Sequence, residues 1–387
     1  MILNNIKTIG NNDLINIEIG NGKIVNISSS AIDNGTDTLQ LTFDKALAFP
    51  GLINSHDHLD FNLFPQLGDK IYNNYTEWGN YIHKSYNKEI ADILKIPAPL
   101  RSRWGMYKNL LCGVTTVVNH GEHSATKNDL ITVFERCHCL HSVQFEKNWR
   151  LKLNKPNKSK LPAVIHVGEG DDWLSYKEIN QLIWWNLLRK KLIGIHAVAM
   201  TENQAKRFEA LIWCPQSNYF LLNVTARINL LKKHTTILFG TDSTLTSSWN
   251  IWEHLQLARE SRHVSDEELY HTLNKSAAKA WQLNCGEIAV GKDADIVVAK
   301  AKPNMSGFDA FFGISPADLQ LVTHKGNIRL FDETLLPQLK TVDLSDFHKI
   351  HIKGACKYVQ GDLPGLMEKI REYHSTADFP VSMEKLT

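Results

Sequence analysis

No stretch of this chain approaches the ~18 consecutive apolar residues that a membrane-spanning helix needs. Its opening, "MILNNIKTIGNNDLINIEIG", lacks the cationic segment and apolar core of a secretory signal. An excess of one charge is missing too. The 43 basic side chains face 41 acidic ones, a formal net charge of +2, so nothing calls for nucleic acid or an anionic membrane as a partner. No basic run or basic amphipathic helix stands out. Cysteine is sparse: Cys112, Cys137, Cys139, Cys214, Cys285 and Cys356 are scattered through 387 residues. That spread argues against a disulfide framework and fits reduced thiols. Cys137-His138-Cys139 has no second cysteine pair at finger spacing and reads as structural. Internal repeats and low-complexity tracts are absent as well. The chain is 43% hydrophobic and 22% charged, ordinary for a soluble globular protein. It is long enough for one large domain with an accessory one. The expectation is a cytoplasmic protein with a small-molecule partner.

Residues 1–48 alternate apolar and polar positions between Gly-Asn and Asn-Gly signals, which predicts short antiparallel strands. From about Ala48 the rhythm changes. Apolar, β-branched runs ("VTTVVNH", "PAVIHVGEG", "LIGIHAVAM", "ALIWCPQS" and "TTILFGTDS") alternate with helical patterns over 76–95, 101–111, 177–190, 202–208, 249–262 and 266–281. Runs buried on both faces and separated by helices imply βα units with parallel strands. Ser265 and Glu268 form a capping-box pattern. Near Gly286 the strand rhythm returns, and "DLPGLMEKIREYH" near the end has helical spacing. The expected fold is therefore α/β: a distorted (β/α)8 barrel over 49–285, a small β-sandwich from 1–48 and 286–335, and a C-terminal extension, 336–387, packing on the barrel.

The chemistry-bearing residues fall at related places on these strands. "FPGLINSHDHLDFN" puts His56 and His58 on the same face of one short strand, because side chains two apart point the same way. With 17 histidines, roughly one His-x-His pair would arise by chance. The other strands decide the matter. "VIHVGEG" carries His166 and Glu169, "GIHAVAM" carries His196, and "LFGTDS" ends in Asp242. In a parallel α/β barrel, residues at the C-terminal strand ends converge on one mouth. Imidazoles with one carboxylate make a borderline N/O set that suits Zn²⁺ and also Fe²⁺ or Mn²⁺.

These segments resemble the amidohydrolase superfamily, especially the metal-dependent aminohydrolases (cytosine, guanine and adenosine-type deaminases, with the triazine hydrolases). "PGLINSHDH" is similar to that family's first-strand metal motif, and "IHVGEG" to its His-x-x-Glu motif. "GIHAVAMTENQ" resembles the sixth-strand histidine segment, "CPQSNYFL" the segment that follows, and "GTDS" the eighth-strand aspartate. "GEIAVGKDADIVV" is similar to the return of the chain into the small β-domain. The resemblance implies His56, His58, His166 and Asp242 as ligands of one divalent cation, zinc first with iron or manganese as alternatives. It implies Asp242 as base, Glu169 as proton shuttle, and His196 as a group that hydrogen-bonds the metal-bound water or the substrate, or binds a metal in a two-metal variant. The implied reaction is hydrolytic deamination of a nitrogen heterocycle or cyclic amidine. Hydrolysis of an amide or another C–N or C–Cl bond at the same site is the alternative, and an inactive member acting as a binding protein is the alternative from another class.

The sequence also departs from the family. Two-metal members commonly carry a carboxylated lysine on the fourth strand. The corresponding stretch here, "EKNWRLKLNKPNKSKLPAV", offers Lys152 in a turn-rich run, so one metal is expected. The interval before His166 is short, so the third and fourth βα units are expected to be trimmed. Substrate contacts are expected from loops at the barrel mouth: Gln66 and Trp78 after the first strand, His120 in "NHGEHS" with Glu122 and His123 beside it, Trp173 after Glu169, and Trp249 after Asp242. The tryptophans would stack on a flat ring. A homo-oligomer is unsurprising in such a family, and nothing in the sequence shows one.

Overall fold

Alternating polarity at the start of the chain produces four strands in the computed structural model, which describes residues 1–32, 38–121 and 130–383. They are β1 (Ile2–Thr8), β2 (Asn11–Gly20), β3 (Lys23–Ser28) and β4 (Gln40–Pro50). The rhythm then changes as expected. Eight further strands follow: β5 (Leu52–Asp57), β6 (Val114–Asn119), β7 (Thr132–Phe134), β8 (His138–Ser142), β9 (Ala163–Val167), β10 (Leu192–His196), β11 (Ala210–Trp213) and β12 (Thr236–Phe239). β5, β6, β9, β10 and β11 are buried at every residue, the mark of parallel strands covered on both faces.

These eight strands form two parallel sheets, one ordered β5-β6-β7 and the other β12-β11-β10-β9-β8. The sheets meet where β5 and β12 end. The amides of Thr241 and Asp242 donate to His56 O at 3.0 and 3.1 Å, and the His58 amide donates to Asp242 O at 3.0 Å. The result is a mixed α/β, TIM-barrel-like domain. Between β7 and β8 lie only Glu135, Arg136 and Cys137. The third unit therefore carries no helix there, in keeping with the trimming expected from the short interval before His166.

Several elements differ from their sequence-based bounds for local reasons. The helix expected over 76–95 is two, α1 (Tyr75–Ser85) and α2 (Asn87–Leu94), hinged at Tyr86. Asn74 caps α1 by accepting from the Glu77 amide at 2.9 Å. α3 (Ala98–Leu110) follows, then a short α4 (Trp149–Leu153) and α5 (Trp173–Trp185). The helix expected over 266–281 is also two, Asp266–Thr272 and Lys275–Trp281, and the first opens on the Ser265–Glu268 capping box. "ALIWCPQS" stops being a strand at Trp213, because Pro215 starts the helix Pro215–Leu222. Proline at a first helical position has its φ set for the helix and no amide to satisfy.

The remaining strands are β13 (Ile296–Ala299), β14 (Leu319–His324), β15 (Asn327–Asp332), β16 (Phe347–Ile352) and β17 (Ala355–Gln360). They join the first four in one nine-stranded sheet ordered β16-β17-β15-β14-β13-β4-β1-β2-β3. β4 is its junction, parallel to β1 and antiparallel to β13. Leu3, Ile17, Phe43, Ile296, Leu321 and Phe331 pack together on it as a core separate from that of the parallel strands. The final helix, Leu363–Tyr373, buries Leu363, Leu366 and Ile370 and packs beside α3. Among the described residues, no helix is long and apolar enough to cross a membrane.

Candidate metal centre and its cavity

His56 and His58 project from the end of β5, His166 from β9, and Asp242 from the turn after β12. Their nitrogens and one carboxylate oxygen converge. His166 Nε2 lies 3.2 Å from His56 Nε2 and 3.4 Å from His58 Nε2. Asp242 Oδ1 lies 3.5 Å from His56 Nε2 and 3.6 Å from His58 Nε2. Ligand atoms bound tetrahedrally to zinc at 2.0–2.1 Å would be about 3.3 Å apart. The observed spacing fits a cation of that size. All four ligand atoms lie within 4.8 Å of one another, and all four residues are buried.

The protonation of the cluster suits the same role. Burial pulls His56 down to about 4, and burial with the neighbouring imidazoles pulls His166 well below its usual value. Both are therefore neutral near pH 7, the form in which imidazole binds metal. His166 Nδ1 is 2.6 Å from His141 O. Donation there leaves Nε2 with its lone pair facing the cluster, the orienting device that metal-binding histidines commonly use. Burial would raise Asp242, but the hydrogen bond from His56 and the imidazoles around it hold the carboxyl well below the usual range. Its Oδ2 accepts from Ser217 Oγ at 2.7 Å and Thr246 Oγ1 at 2.9 Å, which leaves Oδ1 for the cluster.

Asp57, between the two histidines, points the other way into a polar network behind the site. It is 0% exposed. Oδ2 accepts from Lys108 Nζ (2.9 Å), Asn109 Nδ2 (2.8 Å) and Asn54 Nδ2 (3.1 Å), and Oδ1 from Asn62 Nδ2 (2.7 Å). Lys108, 1% exposed, also reaches Asn62 Oδ1 (3.1 Å) and Thr241 Oγ1 (3.3 Å). The network thus ties α3 to the end of β5 and to the residue before Asp242. Gly240 makes the same approach possible from the other side, since a Cβ there would sit 2.7 Å from His56 Cβ. Sequence reasoning missed Lys108; its signal is a lysine set inside the apolar pattern of α3.

Glu169 and His196 complete the floor. Glu169 Oε2 is 3.5 Å from His196 Nε2. Burial, with the carboxylates of Asp242 and Glu178 adding to it, holds the Glu169 carboxyl well above the usual carboxylate range. His196 Nδ1 accepts from Asn218 Nδ2 at 2.9 Å, so Nε2 carries the proton and faces the site. His196 and Asp242 both adopt left-handed backbone, with φ 69° and 62°. Positive φ is uncommon outside glycine and clusters where a site dictates side-chain direction.

Above this floor opens a cavity of about 450 Å³. His58, His166, Glu169, His196 and Asp242 line it, so the structure brings these five expected residues to one space; His56 stands behind them in the cluster. Trp78 also lines it, its indole donating to Leu67 O at 2.7 Å. The other expected substrate contacts are placed elsewhere. Gln66 is exposed outside the cavity. Trp173, the first residue of α5, is 71% exposed and stacks on Tyr176. Trp249 packs against the core without lining the cavity. His120 lies behind the cluster, its Nε2 3.1 Å from Leu140 O and its ring centre 4.6 Å from that of His166. Glu122 and His123 fall outside the described residues. Lys152 sits on α4, where it pairs with Glu146, and the fourth strand, β8, contributes His141 to the cavity instead. Sequence reasoning also missed Phe61, Tyr75 and Phe145 in the wall.

Residues 157–330 match the model of the amidohydrolase family. That stretch is less than half of the chain. No curated protein matches this chain in sequence, whereas many solved structures match it in fold. An adenosine deaminase from Xanthomonas campestris with bound zinc is 14% identical, with TM-score 0.70 and 97% of each chain covered. An atrazine chlorohydrolase from Arthrobacter aurescens TC1, complexed with zinc, is 15% identical with TM-score 0.66, covering 84% of this chain and 94% of that one. A guanine deaminase from C. acetobutylicum with bound guanine is 14% identical with TM-score 0.62, covering 85% and 99%. At such identities the likeness establishes the fold of this chain, and its chemistry has to come from its own residues.

Proposed function

We propose that the chain is a metal-dependent hydrolase that deaminates a nitrogen heterocycle or a cyclic amidine with one bound divalent cation, zinc first. The observation that carries this reading is the meeting of His56, His58, His166 and Asp242 at zinc-ligand spacing on the floor of a cavity that also holds Glu169 and His196. When bound, the cation lowers the pKa of a water from 15.7 toward ~7 and so supplies a hydroxide nucleophile at neutral pH. Asp242, ionised and fixed by two hydroxyls, is the base that accepts a proton there. Glu169, held protonated by its surroundings, is the acid that delivers its proton to the ring nitrogen; it then takes the proton that the added hydroxyl gives up as the ring carbonyl forms and passes it to the amino group that leaves as ammonia. His196 Nε2–H donates to the oxygen on which charge develops. On this reading the eight parallel strands are a distorted (β/α)8 barrel over 49–285. The strands of 1–48 and 286–335 form the small β-domain; of the expected extension 336–387, β16 and β17 instead extend the same sheet, and the helix Leu363–Tyr373 packs beside α3 of the barrel.

Hydrolysis of an amide or another C–N or C–Cl bond uses the same floor. Its support is the likeness to a protein named as an atrazine chlorohydrolase. Elemental analysis of wild type, His58→Ala and Asp242→Ala tests the centre. About one metal per chain is expected in wild type, with loss in both variants. No metal after loading with zinc, iron or manganese would overturn the reading and leave a binding protein. Products from a panel of amino-heterocycles then separate the reactions, since deamination alone releases ammonia and leaves a ring carbonyl.

A further inference from the structure

The cavity is chemically divided. Five of its titratable groups, His58, His166, Glu169, His196 and Asp242, are gathered on the floor, and much of the remaining lining is Phe61, Phe64, Ile82, Ile90, Leu94 and Phe145, with Trp78 beside them. Two of these are left bare: Leu94 at the end of α2 is 52% exposed and Phe145 is 43% exposed. Apolar side chains that face one another across a cavity mouth have area still to bury. The wall is also fitted. Gly79 on α1 leaves room for the Phe145 ring, which a Cβ there would meet at 3.2 Å, and Tyr75 holds the same ring edge-on at 5.5 Å. Among the described residues lining the cavity there is no lysine or arginine. Outside the floor, His83 and His141 are the lining side chains that could carry positive charge.

From this division we infer that the substrate is a neutral amino-heterocycle carrying an apolar arm, its ring on the polar floor and its arm between α1, α2 and Phe145. The inference rests on the heterocycle reading above and adds to it the class of substituent. A cavity of about 450 Å³ falls in the range, about 300–1,000 Å³, of sites that enclose drug-sized ligands. A bare six-membered ring would leave the outer half to water against apolar walls. An anionic arm, such as a phosphate or carboxylate, would be desolvated there with no lysine or arginine among those lining residues to compensate it, which is costly. A cationic arm gains nothing from those walls either, because the lining carboxyls, Glu169 and Asp242, belong to the floor.

The test uses zinc-loaded protein and three scaffolds: an aminotriazine, an aminopyrimidine and an aminopurine. Each is taken bare, with an n-butyl arm, and with a carboxypropyl arm. Calorimetric titration reads binding and an ammonia assay reads turnover. On at least one scaffold the butyl compound should bind at least about tenfold tighter than the bare ring, the effect of burying a few methylenes. The carboxypropyl compound should bind no tighter than the bare ring. Leu94→Asp, a change in the wall outside the polar floor, should abolish the butyl advantage over the bare ring. The inference is overturned if bare and butyl compounds bind alike, if the carboxypropyl arm binds best, if no member of the series binds, or if Leu94→Asp keeps the preference. The two levels separate cleanly. Tight butyl binding without ammonia release sinks the deamination reading and keeps the arm site, whereas equal turnover of bare and butyl rings keeps deamination and sinks the arm site.

Discussion

At Glu169 burial and two neighbouring carboxylates act in the same direction, against ionisation. Glutamine in its place keeps the shape and loses the proton. Glu169→Gln should therefore retain bound metal and lose about 10²- to 10⁴-fold in kcat, the usual contribution of a general acid, as read by steady-state turnover beside metal analysis. His254 makes the opposite kind of statement, about stability. It is buried, its Nε2 lies 2.8 Å from Ser248 O, and burial lowers it to about 4, against about 6.5 in the unfolded chain. Between these values the unfolded chain binds the extra proton, so stability is present in full above pH ~6.5 and is lost as pH falls toward ~4. Thermal melts of His254→Gln should lose less between those limits than wild type, by up to about 3 kcal/mol from a shift near 2.5 units. Six of the candidate residues could be brought together from the sequence because they lie at, or within three residues of, the C-terminal ends of parallel strands. Gln66, Trp173 and Trp249 could not be placed, because a loop's position in the chain leaves the direction of its side chains open. Lys108 was passed over for another reason: a lysine inside the apolar pattern of α3 signals burial but not its partner, and Asp57 is 51 residues away.

α3 is the element on which the centre leans. Lys108 and Asn109 reach from it to Asp57, and Trp104 donates to Asn62 O at 2.8 Å. Removing one member of a buried charge pair leaves the other uncompensated and typically costs about 3–5 kcal/mol. Lys108→Met should lose that much in urea unfolding, and its remaining folded fraction should bind zinc more weakly, because Asp57 lies between two ligands. Gly105 tests how closely the same helix must approach. A Cβ there would lie 2.2 Å from Leu59 O, a backbone atom with no side chain to swing aside. Gly105→Ala should cost about 1–3 kcal/mol as overpacking, despite alanine's higher helix propensity. Elements were legible where periodicity ran long enough to declare itself. The breaks at Tyr86 and Asn274 were hidden, because each joins two segments whose apolar spacing continues across the join. The shape of the nine-stranded sheet was hidden too, since strand rhythm at both ends of the chain says nothing about which strand pairs with which.

For the whole molecule, the candidate centre gathers ligands from β5, β9 and the turn after β12, three places far apart in sequence. A cation bound to the folded state alone stabilises all of them together, by about 4 kcal/mol at a free concentration 1,000 times Kd. Zinc should raise the melting temperature of wild type, chelation should reverse the rise, and His58→Ala should show neither change. The nine-stranded sheet carries a different consequence, for how the protein is made. β4 pairs with β1 on one side and needs β13 on the other, and β13 begins at Ile296. A nascent chain that has just released β12 from the ribosome has every parallel strand but holds β4 as an open edge, with its backbone donors and acceptors unspent. That edge waits through more than fifty further residues of synthesis, so the interval between β12 and β13 is when a growing chain of this protein is most exposed to pairing with another like itself.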